Sequence, residues 1–350
     1  MRVLGVETSC DDTCGAVVCD GVVISSVVSS QHDFHASYGG VVPEVASRQH
    51  SRLIAPVLGE ALAGAGHGWQ DLDAVAVTVA PGLIGALLVG VAAAKGIALS
   101  RGIPLVPVNH LLAHLHTVLL CAPEVEVPYV TLLVSGGHTI LFLITAPGDA
   151  QVMGATLDDA AGEALDKAAH LLDLGYPGGP ALDAIAAAGD PTAIAFPRPV
   201  AGRRGLDFSF SGLKTALAVH LQKHGDPSPG QATADLAASY LEAVVDVLVR
   251  KTVLAAQRAG VATVAVVGGV AANRRLREAM QQRCYSLDLR LIIPPLTLCT
   301  DNAAMVAALG ELELRRGRVG TLQLDASASV EMPWWPEAGR DSCVIARADC

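Results

Sequence analysis

Two histidines four residues apart are the side chains of this chain best suited to chemistry. On an α-helix, the segment HLLAH at positions 110–114 would place both imidazoles on one face, with Cβ atoms about 5–6 Å apart. Two such rings can share one metal ion. A zinc peptidase would need a glutamate after the first histidine to activate a water molecule, and this chain has Leu111. His110 and His114 therefore predict a metal site without peptidase chemistry.

A third metal ligand has to come from elsewhere in the chain. The best candidate is Asp301, which ends an apolar run and precedes a helical segment. Two neutral imidazoles and one carboxylate leave open coordination positions, which suits one divalent ion, Fe(II) or Zn(II). For an isolated HxxxH pattern, two structural histidines are the simpler explanation. The surrounding sequence has to decide between the two interpretations.

The chain is long enough to hold two domains around this site. It has 350 residues, of which 51% are hydrophobic, and a mean hydropathy of +0.44. Membrane insertion is nevertheless disfavoured, because the longest apolar candidate, 84–94, is interrupted by Lys95 after 11 residues. About 20 residues are needed to span a bilayer. The acidic N-terminal segment also lacks the apolar region of a signal peptide.

Charge and cysteine usage restrict the partners and the compartment. A net charge of −10 opposes nucleic-acid binding through the whole surface, so an RNA substrate would need a local basic patch or a basic partner. The eight cysteines form no CxxC pair and lack the density of a disulfide scaffold. These features predict a cytoplasmic protein.

A repeated hairpin organises the chain. Two predicted strands, 3–6 and 15–18, flank a polar turn, and a third follows at 22–28. The same plan recurs where strands 129–134 and 139–144 flank Ser135-Gly136-Gly137-His138. Alternating strands and helices follow in both halves, which predicts an α/β protein of two similar domains with a ligand cleft.

Three glycine-bearing turns are candidate anion sites. The turn at 135–138 would bring backbone amides close to an anion, although a Gly-Gly turn by itself is more often a plain hairpin. Gly268-Gly269 precedes Asn273 at a helix N-terminus, a position that favours phosphate. The turn at 177–180 leads into a helix carrying Asp183, and Asp166 lies in the preceding helix. We expect the nearby acids Asp158, Asp159 and Glu163 to form a solvated helical face, with Glu163 paired to Lys167.

Ten ordered motifs closely resemble the tRNA N6-adenosine threonylcarbamoyltransferase family, TsaD in bacteria, over about residues 1–325. The motifs are VETSCDDT (6–13), VPEVASRQH (42–50), PGLIGALLVG (81–90), NHLLAH (109–114), LLVSGGHT (132–139), DDAAGEALDK (158–167), GYPGGP (175–180), LDFSFSGLKT (206–215), GGVAAN (268–273) and CTDNAAM (299–305). Members were formerly labelled O-sialoglycoprotein endopeptidases, a function that Leu111 disfavours.

The resemblance implies a fold, a reaction and a set of site residues. The fold is the duplicated, two-domain α/β fold of actin, sugar kinases and the Hsp70 ATPase, with a central ligand cleft. We expect domains at 1–125, completed by the helix after 301, and at 126–300, then a closing segment at 301–330 and a tail at 331–350. The metal ligands are His110, His114 and Asp301. The substrate-binding residues are Leu133, Val134, Ser135, Gly136, Gly137, Asp166, Gly179, Asp183 and Asn273.

The implied reaction moves a threonylcarbamoyl group from threonylcarbamoyl-adenylate to N6 of the adenosine 3′ of the anticodon. The tRNAs are those that read codons beginning with A, and AMP is released. A metal with open positions would polarise the acyl carbon, and the amides of the 135–137 turn would hold the phosphate or the developing oxyanion. Asp11, in the first hairpin turn, is a candidate acceptor of the amine proton. A structural turn-capping role explains Asp11 about as well.

Basic residues and partner proteins complete the expectations. We expect Arg203, Arg204 and Lys214 to contact tRNA, with Arg274, Arg275 and Arg277 as a weaker set, although solvated surface charge is the alternative for all of them. The family implies a TsaB-like paralogue and a TsaE-like ATPase as partners, with the helices near 43–63 and 85–100 as docking surfaces or ordinary core. An ATPase or small-molecule kinase of the same fold, or a non-catalytic scaffold subunit, are the alternative functions. Neither alternative requires His110, His114 and Asp301 together.

Overall fold

The computed structural model describes residues 1–199, 205–225, 227–228 and 230–329, and the backbone of 331–332 and 343–344. The chain forms two compact units. Unit 1 contains Met1–Val125, Pro147–Ala150 and the described residues from Pro295 onward. Unit 2 contains the described residues of Glu126–Ala146 and Gln151–Pro294.

Unit 1 is built on a five-stranded sheet in the order β3-β2-β1-β4-β5. The first three strands form an antiparallel meander, and β4 and β5 continue the sheet in parallel. The strands are β1 (Arg2–Glu7), β2 (Asp12–Cys19), β3 (Val22–Ser30), β4 (Ala74–Ala80) and β5 (Leu105–Asn109). The helices are α1 (His32–Ala36), α2 (Pro43–Gly64), α3 (Ile84–Arg101), α4 (His110–Cys121) and α10 (Ala303–Arg315).

Unit 2 is built on a sheet in the order β10-β9-β6-β7-β8. The strands of this sheet are β6 (Tyr129–Val134), β7 (Thr139–Ala146), β8 (Asp149–Ala155), β9 (Thr263–Val267) and β10 (Arg290–Ile292). The first two residues of β8 belong to unit 1. The helices of unit 2 are α5 (Ala161–Leu171), α6 (Gly178–Ala186), α7 (Ser211–His224), α8 (Gln231–Ala259) and α9 (Arg274–Ser286). Two further two-residue strands, β11 (Glu331–Met332) and β12 (Cys343–Val344), pair antiparallel.

The two sheets share one strand order, which confirms the duplicated α/β fold. Read from the meander, each sheet runs third, second, first, fourth and fifth strand of its own unit. The sequence predicted both hairpins but not β5, β8 or β10. Strand β8 has a mixed exposure pattern and β10 has only three residues, so neither shows the apolar run that marks a buried strand.

Helices α4 and α10 bring the candidate metal ligands into the same unit. Strand β5 is fully buried, and α4 begins at the next residue, so the chain turns directly from the sheet into the helix. Helix α10 packs against both β1 and α4. Gly5 permits this packing, because a Cβ there would lie 2.8 Å from the backbone nitrogen of Ala307.

Helix α3 is long and apolar enough, by length and composition alone, to cross a membrane. Its 18 residues include a buried stripe from Ala86 to Ala98, and the helix packs against β4 and α2. Ile84, Leu88 and Leu99 remain 46%, 45% and 70% exposed. The helix therefore has one face in the core and one exposed face that carries apolar side chains.

Candidate metal centre and ligand-binding turns

The first two turns of α4 carry both histidines of the predicted metal site. Asn109 caps this helix, and its side-chain oxygen accepts a hydrogen bond from the amide of Leu112 at 3.0 Å. The cap fixes the start of the helix, and the four-residue spacing brings the two imidazoles to a centroid distance of 4.7 Å at 90°. Both rings are almost fully buried, with 9% and 1% of His110 and His114 exposed.

Asp301 lies beside both rings. Its Oδ1 atom is 3.0 Å from Nε2 of His114 and 3.6 Å from Nε2 of His110. The three ligand atoms lie within 4.8 Å of one another. Two ligands bound about 2.1 Å from a common ion would be separated by about 3.0–3.4 Å. The donor set suits a divalent cation, and the two separations from Asp301, 3.0 and 3.6 Å, lie in or close to this range.

A fully buried glutamate lies behind His110. The Oε2 atom of Glu7, at the end of β1, is 3.1 Å from Nδ1 of His110. The same oxygen accepts a hydrogen bond from the Thr78 hydroxyl at 2.5 Å, while Oε1 accepts one from the Ser9 amide at 2.5 Å. The Ser9 hydroxyl oxygen is 3.2 Å from the same Nδ1 atom. Metal-binding histidines characteristically have a carboxylate in this position.

Two further carboxylates, Asp11 and Asp12, lie in the first hairpin turn. The Oδ2 atom of Asp11 is buried without a hydrogen bond to any described residue, and it is 3.7 Å from Nε2 of His32. Burial, the negative charge of Asp301 and, more weakly, that of Asp11 raise the pKa of Asp12 to about 6. The turn thus presents carboxyl oxygens that the fold itself does not use.

His50, from the VPEVASRQH motif, holds this hairpin turn in place. Its Nδ1 atom is 2.7 Å from the Thr13 hydroxyl, and its Nε2 atom is 2.9 Å from the Cys10 carbonyl oxygen. Burial lowers the pKa of His50, partly opposed by the hydrogen bond to Cys10. The neutral ring is the form that serves both contacts, because Nε2 donates to the carbonyl and Nδ1 accepts from the hydroxyl.

In unit 2, the turn Ser135–His138 presents backbone amides on an exposed surface. The Ser135 amide donates to the His138 carbonyl at 2.8 Å, so it is occupied within the turn, contrary to our expectation that it would bind an anion. Within the described residues, the amides of Gly136 and Gly137 have no hydrogen-bond acceptor. A Cβ on Gly136 would meet nothing within 4 Å, so this side of the turn is open.

The N-terminus of α5 anchors the other side of the same turn. The amides of Gly162 and Glu163 donate to the carbonyls of Ser135 and Gly136 at 3.2 and 3.1 Å. A Cβ at Gly162 would lie 2.6 Å from the Ser135 oxygen, so only glycine permits this approach. The side chains of Leu133 and Val134 are fully buried, which leaves only their backbone for contact with a ligand.

Asp166 and Gly179 are joined directly. The Oδ1 atom of Asp166 accepts a hydrogen bond from the Gly179 amide at 2.9 Å, which ties α5 to the start of α6. Burial raises the pKa of Asp166. A Cβ at Gly178 would lie 2.8 Å from the Asp166 Cα, so the glycine-rich turn permits close helix packing.

Asp183 and Asn273 meet at the N-terminus of α9. Asn273 caps the helix by accepting a hydrogen bond from the Leu276 amide at 2.9 Å, and Oδ2 of Asp183 accepts one from the Arg274 amide at 3.1 Å. The Oδ1 atom of Asp183 is buried without a hydrogen bond to a described residue. This free acceptor is suited to a ligand hydroxyl or amine.

The structure describes only Lys214 among the three basic residues most expected to contact tRNA. Lys214 is exposed on the first turn of α7 and forms no ion pair with a described residue, whereas Arg203 and Arg204 lie outside the described residues. Arg275 is paired with both carboxylate oxygens of Glu242 at 2.7 and 3.0 Å. Arg277 donates to the carbonyls of Ala271 and Pro294. The guanidinium groups of the weaker set thus serve internal contacts, since Arg274 also pairs with Glu278.

The expected solvated helical face formed by Asp158, Asp159 and Glu163 is partly wrong. Helix α5 begins only at Ala161, so Asp158 and Asp159 precede it. Asp158 instead accepts hydrogen bonds from the hydroxyls of Ser209 and Ser211 and from the amides of Phe210 and Ser211, at 2.5–3.2 Å. Lys167 pairs with Glu163 as expected, at 2.7 Å, and also with Asp159.

Sequence reasoning missed Glu7, Thr78 and His50 as parts of the site. Glu7 lies in the motif at 6–13 without an assigned role, although a carboxylate at the end of an otherwise apolar strand is itself a signal. Glutamate is almost never fully buried unless it has partners. Thr78 and His50 carry no such signal, because a threonine in a strand and a histidine on a helix are common.

Solved structures with the same architecture support the fold. The activator of 2-hydroxyisocaproyl-CoA dehydratase from Clostridium difficile aligns with a TM-score of 0.52 at 16% identity, covering 92% of this chain and 99% of that one. The HypF protein of T. kodakarensis aligns with a TM-score of 0.61 at 17% identity, covering 90% of this chain and 48% of that one. At such identities the likeness concerns the fold alone.

Curated sequence relatives share far more identity with this chain than these solved structures do. The family model described as tRNA N6-adenosine threonylcarbamoyltransferase, TsaD, matches residues 22–308. The protein of that name from Magnetococcus marinus is 54% identical over 328 residues, covering 91% of this chain and 93% of the relative. The one from Syntrophus aciditrophicus is 50% identical over 327 residues, covering 93% and 96%. The chain therefore belongs to the tRNA N6-adenosine threonylcarbamoyltransferase family.

Proposed function

We propose that this protein transfers a threonylcarbamoyl group from threonylcarbamoyl-adenylate to N6 of the adenosine 3′ of the anticodon. The tRNAs are those that read codons beginning with A. One observation carries the proposal within a chain of this family: two buried imidazoles and a carboxylate converge in unit 1 with ligand atoms within 4.8 Å. A scaffold subunit of the same fold would have no use for this arrangement.

His110, His114 and Asp301 would hold one divalent metal ion, with Fe(II) favoured and Zn(II) the alternative. Two nitrogen ligands and one oxygen ligand suit either ion and leave coordination positions open. When bound, the metal would supply Lewis-acid polarisation of the acyl group. The protein supplies the burial of both rings and the contacts that orient them.

Unit 2 would bind the adenylate. The amides of Gly136 and Gly137 point to no described acceptor and would donate to the phosphate or to the developing oxyanion. Asp183, with its free Oδ1 atom, would accept a hydrogen bond from the ribose or the base, next to Asn273. Gly179 and Asp166 complete this surface by fixing the start of α6. Leu133, Val134 and Ser135 would contribute backbone contacts and the shape of the turn.

The reaction forms a bond between N6 of adenosine and the carbamoyl carbon. The bond between that carbon and the phosphate oxygen breaks, and AMP leaves with the electron pair. The amine must lose one proton, and Asp11 is the proposed acceptor because its Oδ2 atom has no hydrogen bond to a described residue. Asp11→Asn should abolish single-turnover transfer while leaving bound metal unchanged. Normal transfer by this variant would remove Asp11 from the mechanism.

Docking of tRNA would involve Arg203, Arg204 and Lys214. The reaction would take place in the cytoplasm. None of the six cysteines whose side chains the structure describes forms a disulfide bond, in keeping with a reducing compartment. A TsaB-like paralogue and a TsaE-like ATPase are the proposed partners. The exposed apolar side chains Ile84, Leu88 and Leu99 of α3 offer a docking surface for the paralogue. Leu88→Asp should weaken its binding in calorimetry, and unchanged affinity would exclude this face.

Mass spectrometry of tRNA nucleosides tests the function directly. Unmodified tRNA would be incubated with threonylcarbamoyl-adenylate, the two partner proteins and either the wild-type protein or His110→Ala. We expect modified adenosine with the wild type and at least 100-fold less with the variant. Product from both would move the chemistry away from the metal centre. Product from neither, with partners shown to be competent, would favour an ATPase, a kinase or a scaffold function.

A further inference from the structure

Glu7 is a charged side chain with no access to solvent. It is 0% exposed at the end of β1, and its two oxygens face three donors: the Ser9 amide, the Thr78 hydroxyl and Nδ1 of His110. Burying a carboxylate is costly unless its oxygens are hydrogen-bonded. A core position of this kind would ordinarily be filled by an apolar residue, so a carboxylate here requires an explanation.

We infer that Glu7 is a positioning residue that fixes the tautomer and orientation of His110 for metal binding. A carboxylate can only accept hydrogen bonds, so the proton of the neutral His110 ring lies on Nδ1, 3.1 Å from Oε2. The lone pair then lies on Nε2, the atom that faces Asp301 at 3.6 Å. This inference rests on the proposed metal centre and adds a residue that is not itself a ligand.

Glu7 is held rigidly enough to serve this purpose. The Ser9 amide lies two residues away in the same chain segment, and Thr78 lies on the neighbouring strand β4, which pairs in parallel with β1. Both contacts measure 2.5 Å. Two hydrogen bonds therefore fix the position of the carboxylate independently of His110. Because both come from the sheet or its end, the sheet determines how the imidazole is oriented.

The two histidines of the site differ in the hydrogen-bond partner of their Nδ1 atoms. The Nδ1 atom of His114 is buried and makes no hydrogen bond to a described residue, so its ring is oriented by packing and by Asp301 alone. Only His110 is backed by a carboxylate. Loss of such an outer-shell partner typically lowers metal affinity about 10- to 100-fold.

A glutamine at position 7 would keep the size and shape of the side chain but replace one of its two acceptor oxygens with a donor. If its oxygen accepts from the Ser9 amide, its NH2 group faces Nδ1 of His110, which must then become an acceptor. The ring proton would move to Nε2, the metal-binding atom, and block it. The substitution therefore opposes metal binding through the tautomer rather than through size.

The first test measures the tautomer in the wild-type protein, and a variant serves only to assign the signals. The metal-free protein would be labelled with 15N-histidine, and the ring signals of His110 would be assigned by their loss in His110→Gln. We expect a neutral ring with its proton on Nδ1 in the wild type at pH 8. A proton on Nε2 would overturn the inference, whether or not the protein binds metal.

The second test measures affinity for Co2+, whose absorption spectrum also reports coordination geometry, by competition with a chelator. We expect Glu7→Gln to weaken binding about 10- to 100-fold. Thr78→Val, which keeps the carboxylate but removes one of its supports, should give a smaller loss. Glu313→Gln is the matched control, because Glu313 is also a buried acid of unit 1 but pairs with Arg316 and Arg318.

The outcomes separate the inference from the proposed function. Wild-type affinity in folded Glu7→Gln, or an equal loss in Glu313→Gln, would contradict the role of Glu7. If the wild-type protein binds Co2+ elsewhere or not at all, the metal centre itself fails, and the tautomer measurement still decides whether Glu7 sets the state of His110.

Discussion

The Nε2 atom of His114 lies 3.0 Å from the Oδ1 atom of Asp301, although 187 positions of sequence separate the two residues. Helix α10 makes this approach possible, because it packs on β1 and α4 and starts immediately after Asp301 and its helix cap Asn302. The carboxylate thus reaches the histidines from a segment that joins unit 1 only after the whole of unit 2 has been traversed. A metal bound here would tie the two distant parts of unit 1 together.

Asp301→Asn should lower the affinity of unit 1 for Zn2+ at least 10-fold. An amide oxygen is a neutral and weaker ligand than a carboxylate, and the substitution leaves the shape of the site unchanged. Competition with a chelator measures the affinity. Asp190→Asn, an exposed acid of unit 2, is the control and should bind as the wild type does. Equal affinities in all three proteins would mean that Asp301 is not a ligand.

The two histidines of the metal site were accessible to sequence reasoning because their relation is local, whereas Asp301 lies 187 positions from His114. A four-residue spacing on a helix determines the relation of His110 to His114 without knowledge of the fold. Glu7 was not accessible in the same way, since its contact with His110 spans 103 positions and depends on the pairing of β1 with β4 and of β4 with β5. Buried polar partners are defined by tertiary structure, and one sequence does not show which strand end meets which helix.

The start of α5 in unit 2 was likewise not predictable from the sequence alone. The acids at 158 and 159 were expected on the helix that carries Glu163, because alanine and acidic residues continue across the boundary. The helix instead starts at Ala161, whose amide donates to the Thr139 hydroxyl, and the next two amides donate to the carbonyls of Ser135 and Gly136. Tertiary contacts set this boundary, and they free Asp158 to cap α7.

Gly162→Ala should disrupt the hairpin turn that presents the Gly136 and Gly137 amides. The added Cβ would lie 2.6–2.8 Å from backbone atoms of Ser135 and Gly136, which cannot move independently. We expect the free energy of unfolding to fall by about 2 kcal/mol or more, a typical cost of overpacking, together with weaker binding of the adenylate. Urea denaturation and calorimetry measure the two effects.

A glycine in open space provides the control for that substitution. Gly96 lies inside α3, and a Cβ there meets nothing within 4 Å. Gly96→Ala should raise stability by about 0.5–1 kcal/mol, because alanine loses less backbone entropy in a helix. If both variants shifted stability in the same direction, the steric account of Gly162 would be wrong.

His50 should make stability depend on pH near neutrality. Burial lowers its pKa below the ordinary value of 6.5, so the unfolded chain binds a proton more readily than the folded one does. The stability contributed by the neutral ring is therefore present above about pH 6.5 and is lost progressively as the pH falls below it. We expect His50→Gln to flatten this part of the pH profile, measured by urea unfolding between pH 5 and 8. A difference between wild type and variant that does not change with pH would contradict this origin.

Asp158 should stabilise the N-terminus of α7 as a helix cap would. Partial burial raises its pKa, but the hydrogen bonds from Ser209, Phe210 and Ser211 outweigh this effect and lower the pKa overall. The contribution is therefore present above the unfolded pKa of about 3.9 and is lost as the pH falls through the folded value. Asp158→Ala should cost about 1–2 kcal/mol at pH 7 and much less at pH 3.

Hydrogen exchange locates that effect. The amides of Phe210 and Ser211 donate to Asp158, so their protection should fall in Asp158→Ala, while amides in the middle of α8 should keep theirs. Uniform loss of protection across unit 2 would instead indicate global destabilisation and would contradict a local capping role.

Lys214 should contribute one phosphate contact to tRNA binding. It is exposed on the first turn of α7 and makes no ion pair with a residue that the structure describes, so its charge is available to a ligand. Lys214→Glu should weaken tRNA binding and reduce the slope of log affinity against log salt concentration by about 1. Lys223→Glu makes the same charge change on the last turn of the same helix, about 13 Å away along the axis. Filter binding of tRNA across a salt series distinguishes the two variants, because net charge alone would change both slopes equally, whereas a specific contact changes only the first.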